Sequence, residues 1–246
     1  MLTCLEATVE DLPRQKQDQI NWLLFVRSNV PIIKRETMKL YPALTDLHAT
    51  NAGVEKVEAD AFRDLKELNW VDLSYNKLSA LDAELFKEAR TFYYLNVSGN
   101  PDLVIPKDGP FIDSPKLNWL DISLCGIKEL YPNTFGKLRG LKVLSLAGNK
   151  LETLPRGVFQ PLQNLYSLDL SNNLFRTVNP VVFKDMKHLS LYLGKNPWEC
   201  DCSLYPLMEW VKTRRMKDEV RCAKPEDKLW KDVTISGCEA SMVEVF

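Results

Sequence analysis

The sequence predicts one curved solenoid of the α/β class, with a parallel sheet lining the inner face of stacked coils and a cysteine-rich cap at the C-terminal end. Three observations predict it. Asn76, Asn100, Cys125, Asn149, Asn173 and Asn196 recur every 23 to 25 residues. A second ladder in the same register, ten residues behind, reads Met38, Phe62, Phe86, Phe111, Phe135, Phe159 and Phe183. After Asn196 the period gives way to Pro197-Trp198-Glu199-Cys200-Asp201-Cys202, followed by Cys222 and Cys238. Self-similarity at such a period is the mark of a repeat architecture, in which each coil buries its apolar face only against its neighbours.

The first element to justify is the strand. Leu144 and Leu146 alternate with period two, so each coil opens with a short strand that buries one face. The Asn then closes a turn, its side-chain amide bonding backbone groups that the turn leaves unpaired. The Phe that follows fills the convex half of the coil. Leu141, Leu144, Leu146, Asn149, Leu151 and Leu154 show the pattern in its cleanest form, which is that of a leucine-rich repeat. Stepping back by 24 gives Ala52 and Ser28, so the first coils are degenerate members of the series. The single irregular step, from Phe86 to Phe111, places one inserted residue in Pro101–Gly109. About seven to eight coils span residues 20–196, with 1–19 as an N-terminal capping segment and 197–246 as the C-terminal cap. Eight strands at about 4.8 Å make an inner sheet about 35 Å wide.

Composition narrows the function. The chain has 246 residues and a formal net charge of -1, which removes the positive field of a general nucleic-acid binder. No apolar run approaches the roughly 20 residues that span a bilayer. The chain does not open with a charged segment followed by an apolar one, so a secretion signal is expected to be removed or to lie outside this sequence. Two histidines, 10 glycines and no glycine-rich phosphate motif argue against an enzyme. No catalytic residue, metal ligand or cofactor is assigned.

The segment from Asn196 resembles the C-terminal cysteine-rich cap of extracellular leucine-rich-repeat proteins, in which Asn-Pro-Trp-x-Cys-x-Cys opens the cap. Together with the repeat, the resemblance covers about residues 20–238. Slit-like guidance proteins, Toll-type receptors, insect immune leucine-rich-repeat proteins and lamprey variable lymphocyte receptors share it. The resemblance implies a disulfide-bonded cap with Cys200 joined to Cys222 and Cys202 to Cys238. Zinc is the alternative for four clustered cysteines, but a Cys-x-Cys start with later gaps of 19 and 15 fits zinc poorly, because structural sites space paired ligands by two to four residues. Disulfides imply an oxidising compartment, hence a secreted protein or an ectodomain. Leu204, Leu207, Met208 and Val211 have helical spacing within the cap, with Ser203 as an expected N-cap.

Family members usually carry paired cysteines at the N-terminal end as well. Here there is only Cys4, followed by Leu5–Leu12, which is expected to form a capping strand. Cys125 falls on the Asn ladder and reads as an inert core thiol. Cys4 is the odd cysteine: either its cap partner was lost upstream, or it forms an interchain disulfide to a partner chain.

Alternation assigns the side chains of the concave face. One column reads Trp22, Asp46, Trp70, Tyr94, Trp119, Val143, Ser167, Ser190, and its neighbour Asn21, Thr45, Asn69, Tyr93, Asn118, Lys142, Tyr166. Exposed Trp and Tyr are the usual anchors of protein interfaces, so Trp22, Trp70, Tyr93, Tyr94, Trp119 and Tyr166 are candidate ligand-binding residues. The plain alternative is that the rings stack on one another or lie under the N-terminal segment. On the binding reading, Trp70→Ala and Trp119→Ala leave melting nearly unchanged. A third column carries His48, Asp72, Asn96, Asp121 and Asp169. Asp72 and Asp121 read either as an acidic stripe for a basic ligand or as the generic Leu-Asp-Leu-Ser of the resembled family. His48 is expected to neighbour Asp72, as a pH-sensitive contact or as a pair of no consequence. Asn96-Val97-Ser98 is an N-glycosylation sequon, and a glycan on Asn96 would cover the aromatic surface. Lys212, Arg214, Arg215 and Lys217 read as a solvated helix end, with sulfated-glycan binding as the alternative. The sequence thus points to a non-catalytic extracellular recognition module for a protein ligand or co-receptor, in a receptor, adhesion or innate-immune setting. The runner-up is a scaffold subunit assembled through Cys4 or the caps.

Overall fold

The computed structural model describes residues 1–8, 11–13, 17–186, 188–212, 215–216, 219–225, 227–235 and 238. Its strands are β1 (Leu2–Leu5), β2 (Trp22–Val26), β3 (Ile32–Ile33), β4 (Asp46–His48), β5 (Lys56–Val57), β6 (Trp70–Asp72), β7 (Tyr94–Asn96), β8 (Trp119–Asp121), β9 (Val143–Ser145), β10 (Ser167–Asp169), β11 (Ser190–Tyr192), β12 (Trp198–Glu199), β13 (Arg215–Met216) and β14 (Cys222–Lys224). Among the described residues the α-helices are α1 (Arg35–Met38) and α2 (Tyr205–Lys212), with short 3-10 turns at Pro180–Phe183 and Trp230–Asp232. One parallel sheet of ten strands runs β1-β2-β4-β6-β7-β8-β9-β10-β11-β13. It is wider than the eight strands expected, because β1 and β13 extend it at either end. The N-terminal strand is Leu2–Leu5 rather than the Leu5–Leu12 stretch. Within that stretch Thr8 bridges Asn29, while Val9 and Glu10 lie outside the described residues.

From β4 to β11 each strand of this sheet is three residues long with its middle residue buried, as in Val71, Leu95, Leu120 and Leu144. The convex side is built mostly of turns and short helical pieces, so the buried aromatic residues are what hold its shape. Met38 and the six Phe of the second ladder are all 3% exposed or less. Burying each such side chain contributes about 2–3 kcal/mol, and the stack adds ring contacts: Phe135–Phe159 at 6.0 Å and Phe159–Phe183 at 6.1 Å. The inserted residue of the fourth coil is absorbed in its turns, where Gly109 sits at φ 108°, and Phe111 still reaches the core.

The Asn ladder is the polar counterpart of this spine. Asn149 accepts hydrogen bonds from the Cys125 and Ile127 amides of the preceding coil and donates to the carbonyls of Ile122 and Leu146. Asn76 ties Ala52 and Val54 to Ala49 and Leu73 in the same way. Ser28 keeps part of the role with a hydroxyl: it donates to the Cys4 carbonyl and accepts from the Ala7 amide. Cys125 substitutes weaker sulfur contacts: it reaches the carbonyls of Val97 and Ser123 at 3.2 Å each and takes the Asn100 and Gly99 amides. Its burial pushes the thiol up to about 11.

The cap closes the solenoid by continuing its ring stacks. Trp210 of α2 packs on Phe183 at 5.4 Å, and Trp198 on Phe175 at 6.1 Å. Trp198 donates from Nε1 to the Leu193 carbonyl. Disulfides join Cys200 to Cys222 and Cys202 to Cys238, the pairing the resemblance implied. The acceptor at the start of α2 is Asp201, which takes the Ser203 amide and hydroxyl, rather than Ser203 itself. Of the basic run, Lys212 pairs with Glu209; Arg214, Lys217 and the Arg215 side chain lie outside the described residues.

Candidate aromatic recognition groove on the concave face

Strand register brings the first column into line. Trp22, Asp46, Trp70, Tyr94, Trp119, Val143, Ser167 and Ser190 pair in sequence across the sheet. The rings form a ladder of their own. Trp70 and Tyr94 stack nearly face to face at 3.3 Å, Tyr93 meets Trp70 edge-on at 6.0 Å, and Trp119 follows Tyr94 at 5.9 Å. The stacking expected as the plain alternative is therefore present in part of the column, while other rings stay open. Trp70 and Tyr94 are half-buried in the stack, and Trp70 Nε1 is buried without a hydrogen-bond partner. Trp22, Tyr93, Trp119 and Tyr166 remain 41–52% exposed. Around Trp119 the rings of Trp70, Tyr93, Tyr94 and Tyr166, with Lys142 at the rim, line an open groove of about 460 Å³. Asn118 and Lys142, not singled out in the sequence, also face it; their place in the flanking column was the available signal.

The third column is divided in its duties. Asp72 accepts from the Ser74 amide and hydroxyl, Asp121 from the Ser123 amide and Asp169 from the Ser171 amide. Each of these bonds closes the turn after a strand, the role Asn96 also plays for Ser98. The field of Asp72 and Asp121 is felt nearby. The Tyr94 phenol is pushed up to about 12, first by burial and then by Asp72 and Asp121. His48 pairs in register with Asp72, but its ring lies between Trp22 at 5.3 Å and Trp70 at 6.2 Å. It belongs to the aromatic ladder more than to the acidic column. Asn96 also donates to Asp72 at 3.4 Å, so its amide is engaged at the centre of the face.

Cys4 is buried at 9% exposure on β1, and burial raises its thiol above the ordinary range. An interchain bond would require β1 to open. Among the described residues, no group of three or more His, Cys, Asp or Glu is arranged to hold a metal ion, and no helix is long and apolar enough to cross a membrane.

Comparison with known proteins agrees with this architecture. The leucine rich repeat family model matches residues 42–101, 115–175 and 139–197. A phospholipase A2 inhibitor of Gloydius brevicaudus siniticus is 46% identical over 74 residues, covering 28% of this chain and 22% of that protein. Trophoblast glycoprotein of Macaca fascicularis is 25% identical over 263 aligned positions, 91% of this chain and 60% of that protein. The crystal structure of human 5T4, trophoblast glycoprotein, superposes with a TM-score of 0.75 at 21% identity, covering 92% of this chain and 91% of that one. The chain spans less than two thirds of the length of these curated relatives. With the repeat model matching more than half of its residues and a disulfide cap closing its coils, the chain belongs to the leucine-rich repeat family.

Proposed function

We propose that this chain is a non-catalytic extracellular recognition module that holds a protein ligand or co-receptor on its concave face. The observation that carries the reading is the groove around Trp119, where large rings stay exposed on a sheet whose other side is fully packed. Such rings are expensive to leave in water and lose little entropy when a partner covers them. The cap disulfides fit an oxidising compartment, and a relative named for inhibiting phospholipase A2 fits protein binding by this repeat. Receptor, adhesion or innate-immune work would all suit such a module.

The test places a photo-crosslinking residue at position 166 on the concave face or at position 137 beside the convex Phe ladder, and exposes each to a panel of purified ectodomains. The reading expects a ligand labelled from 166 and not from 137, with labelling lost in Trp119→Ala at unchanged melting temperature. Equal labelling from 137, or labelling indifferent to Trp119→Ala, refutes it. The sequon supplies a second check. A fall in intact mass on enzymatic removal of N-glycans would put a sugar on Asn96, over the groove, and move the contact to another face.

A further inference from the structure

We propose that the concave groove is selective for guanidinium groups, so that the partner seats an arginine side chain over the Tyr94–Trp119 rings with its fork towards Asp121 and Asp72. The inference rests on the concave-face reading and adds the chemistry of the occupant. It begins with charge. Among the described side chains of the concave columns, Asp46, Asp72, Asp121 and Asp169 stand against the single ammonium of Lys142. The whole chain is only -1, so this described stretch from β4 to β10 is more negative than the chain as a whole. Elsewhere the surface carboxylates are commonly matched, as Asp64 is by Arg35, Glu88 by Lys66 and Glu199 by Arg176. Among the described residues none of the four concave carboxylates takes part in an ion pair.

Placement comes next. Asp121 stands two residues after Trp119 on β8, and Asp72 two residues after Trp70 on β6, so carboxylates and rings leave the same face in adjacent columns. The turn bonds engage Oδ1 of each aspartate and Asn96 reaches Oδ2 of Asp72 at 3.4 Å; an ionised carboxylate has about four acceptor sites, so each retains capacity for a donor from the partner, Asp121 more than Asp72. Ring faces carry negative quadrupole and attract cations; here they lie beside uncompensated anions. A neutral apolar or sugar ligand would strip water from those carboxylates without replacing it. A cation satisfies both the rings and the anions.

Shape chooses between the two common cations. A guanidinium is planar, stacks on Trp and Tyr faces and forks to a carboxylate, whereas an ammonium is a compact and strongly hydrated point charge. Lys142 then gives the groove a direction. It repels a cation on the β9 side, so the arginine seats over β7 and β8, and an acidic group of the partner is suited to the Lys142 end.

The experiment titrates the intact protein with octa-arginine, octa-lysine and octa-citrulline peptides at low salt, read by tryptophan fluorescence. Saturable octa-arginine binding is expected, with octa-lysine about 5-fold weaker and octa-citrulline about 10-fold weaker or more. Trp119→Ala should weaken octa-arginine about 10-fold, and Asp121→Asn about 5-fold. The Asp121→Asn variant keeps an oxygen for the Ser123 amide, so its melting temperature should hold. Lys142→Ala should tighten binding. Equal affinity for citrulline, or octa-arginine binding unmoved by Trp119→Ala and Asp121→Asn, overturns the proposal. If octa-arginine fails while a crosslinked ligand still depends on Trp119, the guanidinium chemistry falls and the concave reading stands. If both fail, the concave face is not the recognition surface.

Discussion

Replacing Asn149 by alanine removes four hydrogen bonds from the interior of the solenoid, and the structure allows the cost to be worked out group by group. The Asn149 carboxamide is 5% exposed. Its Oδ1 accepts from the amides of Cys125 at 3.0 Å and Ile127 at 3.1 Å, and its Nδ2 donates to the carbonyls of Ile122 and Leu146, each at 2.9 Å. Alanine leaves these four groups behind. The Leu146 carbonyl keeps a donor, because Asn173 Nδ2 also reaches it at 2.9 Å. Two amides and the Ile122 carbonyl are therefore orphaned. A buried orphan costs about 1–3 kcal/mol, and water entering the space left by the amide recovers part of that. The expected loss is about 4 kcal/mol, a large share of the 5–15 kcal/mol that a folded domain holds in total.

The comparison variant is Cys125→Ala, at the equivalent point of the preceding coil. There two sulfur contacts of 3.2 Å to carbonyls disappear, with those of the Asn100 and Gly99 amides to the sulfur, and a thiol is a weak donor and acceptor, so about 1 kcal/mol should be lost. Equilibrium denaturant unfolding measures both. Hydrogen exchange then locates the change, because repeat stability is nearest-neighbour in character and the loss should concentrate in the coils between Val97 and Leu151. A cost for Asn149→Ala below about 1.5 kcal/mol, or equal to that of Cys125→Ala, would refute the orphan-group argument.

Three further outcomes are expected. Trp119→Ala should change stability by less than about 0.5 kcal/mol, while Trp70→Ala should cost about 2 kcal/mol because its ring is stacked on Tyr94; matching melting curves for the two variants would contradict this, and the value for Trp70 departs from the small effect expected from sequence. Reduction should loosen the cap first: opening the loops of 22 and 36 residues removes about 3 and about 4 kcal/mol of chain-entropy stabilisation, and a reductant-insensitive denaturation midpoint would argue otherwise. Tyr94 and Tyr41 are both pushed up to about 12, chiefly by burial. Their folded values exceed the ordinary value near 10, so the stability they contribute is complete below pH 10 and is lost as pH rises towards 12. Absorbance titration at 295 nm should show one fewer late phenol in Tyr94→Phe and in Tyr41→Phe.

Much of this molecule was legible in order along the chain. A repeat couples each residue to its counterpart about 24 positions away, so the Asn and Phe ladders report tertiary contacts directly, and the concave columns could be written before any coordinates. That is why Trp119, Tyr93 and Tyr166 were placed correctly on the inner face, and why Ser28 and Ala52 could be recognised as degenerate rungs. The cap pairing came from a resemblance rather than from spacing. What the period does not encode is how far neighbouring side chains lean. Packing divided one column into stacked rings, Trp70 and Tyr94, and open ones, Trp22 and Trp119. It drew His48 between two tryptophans and gave the aspartates a turn-closing bond each. Strands β1 and β13 also escaped notice, because they lie outside the period and exist only through pairing with the sheet edges. The sequence by itself determined the coil, its inner and outer faces and the residue types set on each; the tertiary structure alone decided which of those rings and charges were used up by their neighbours and which were left for a partner, since that depends on distances between coils and not on order along one.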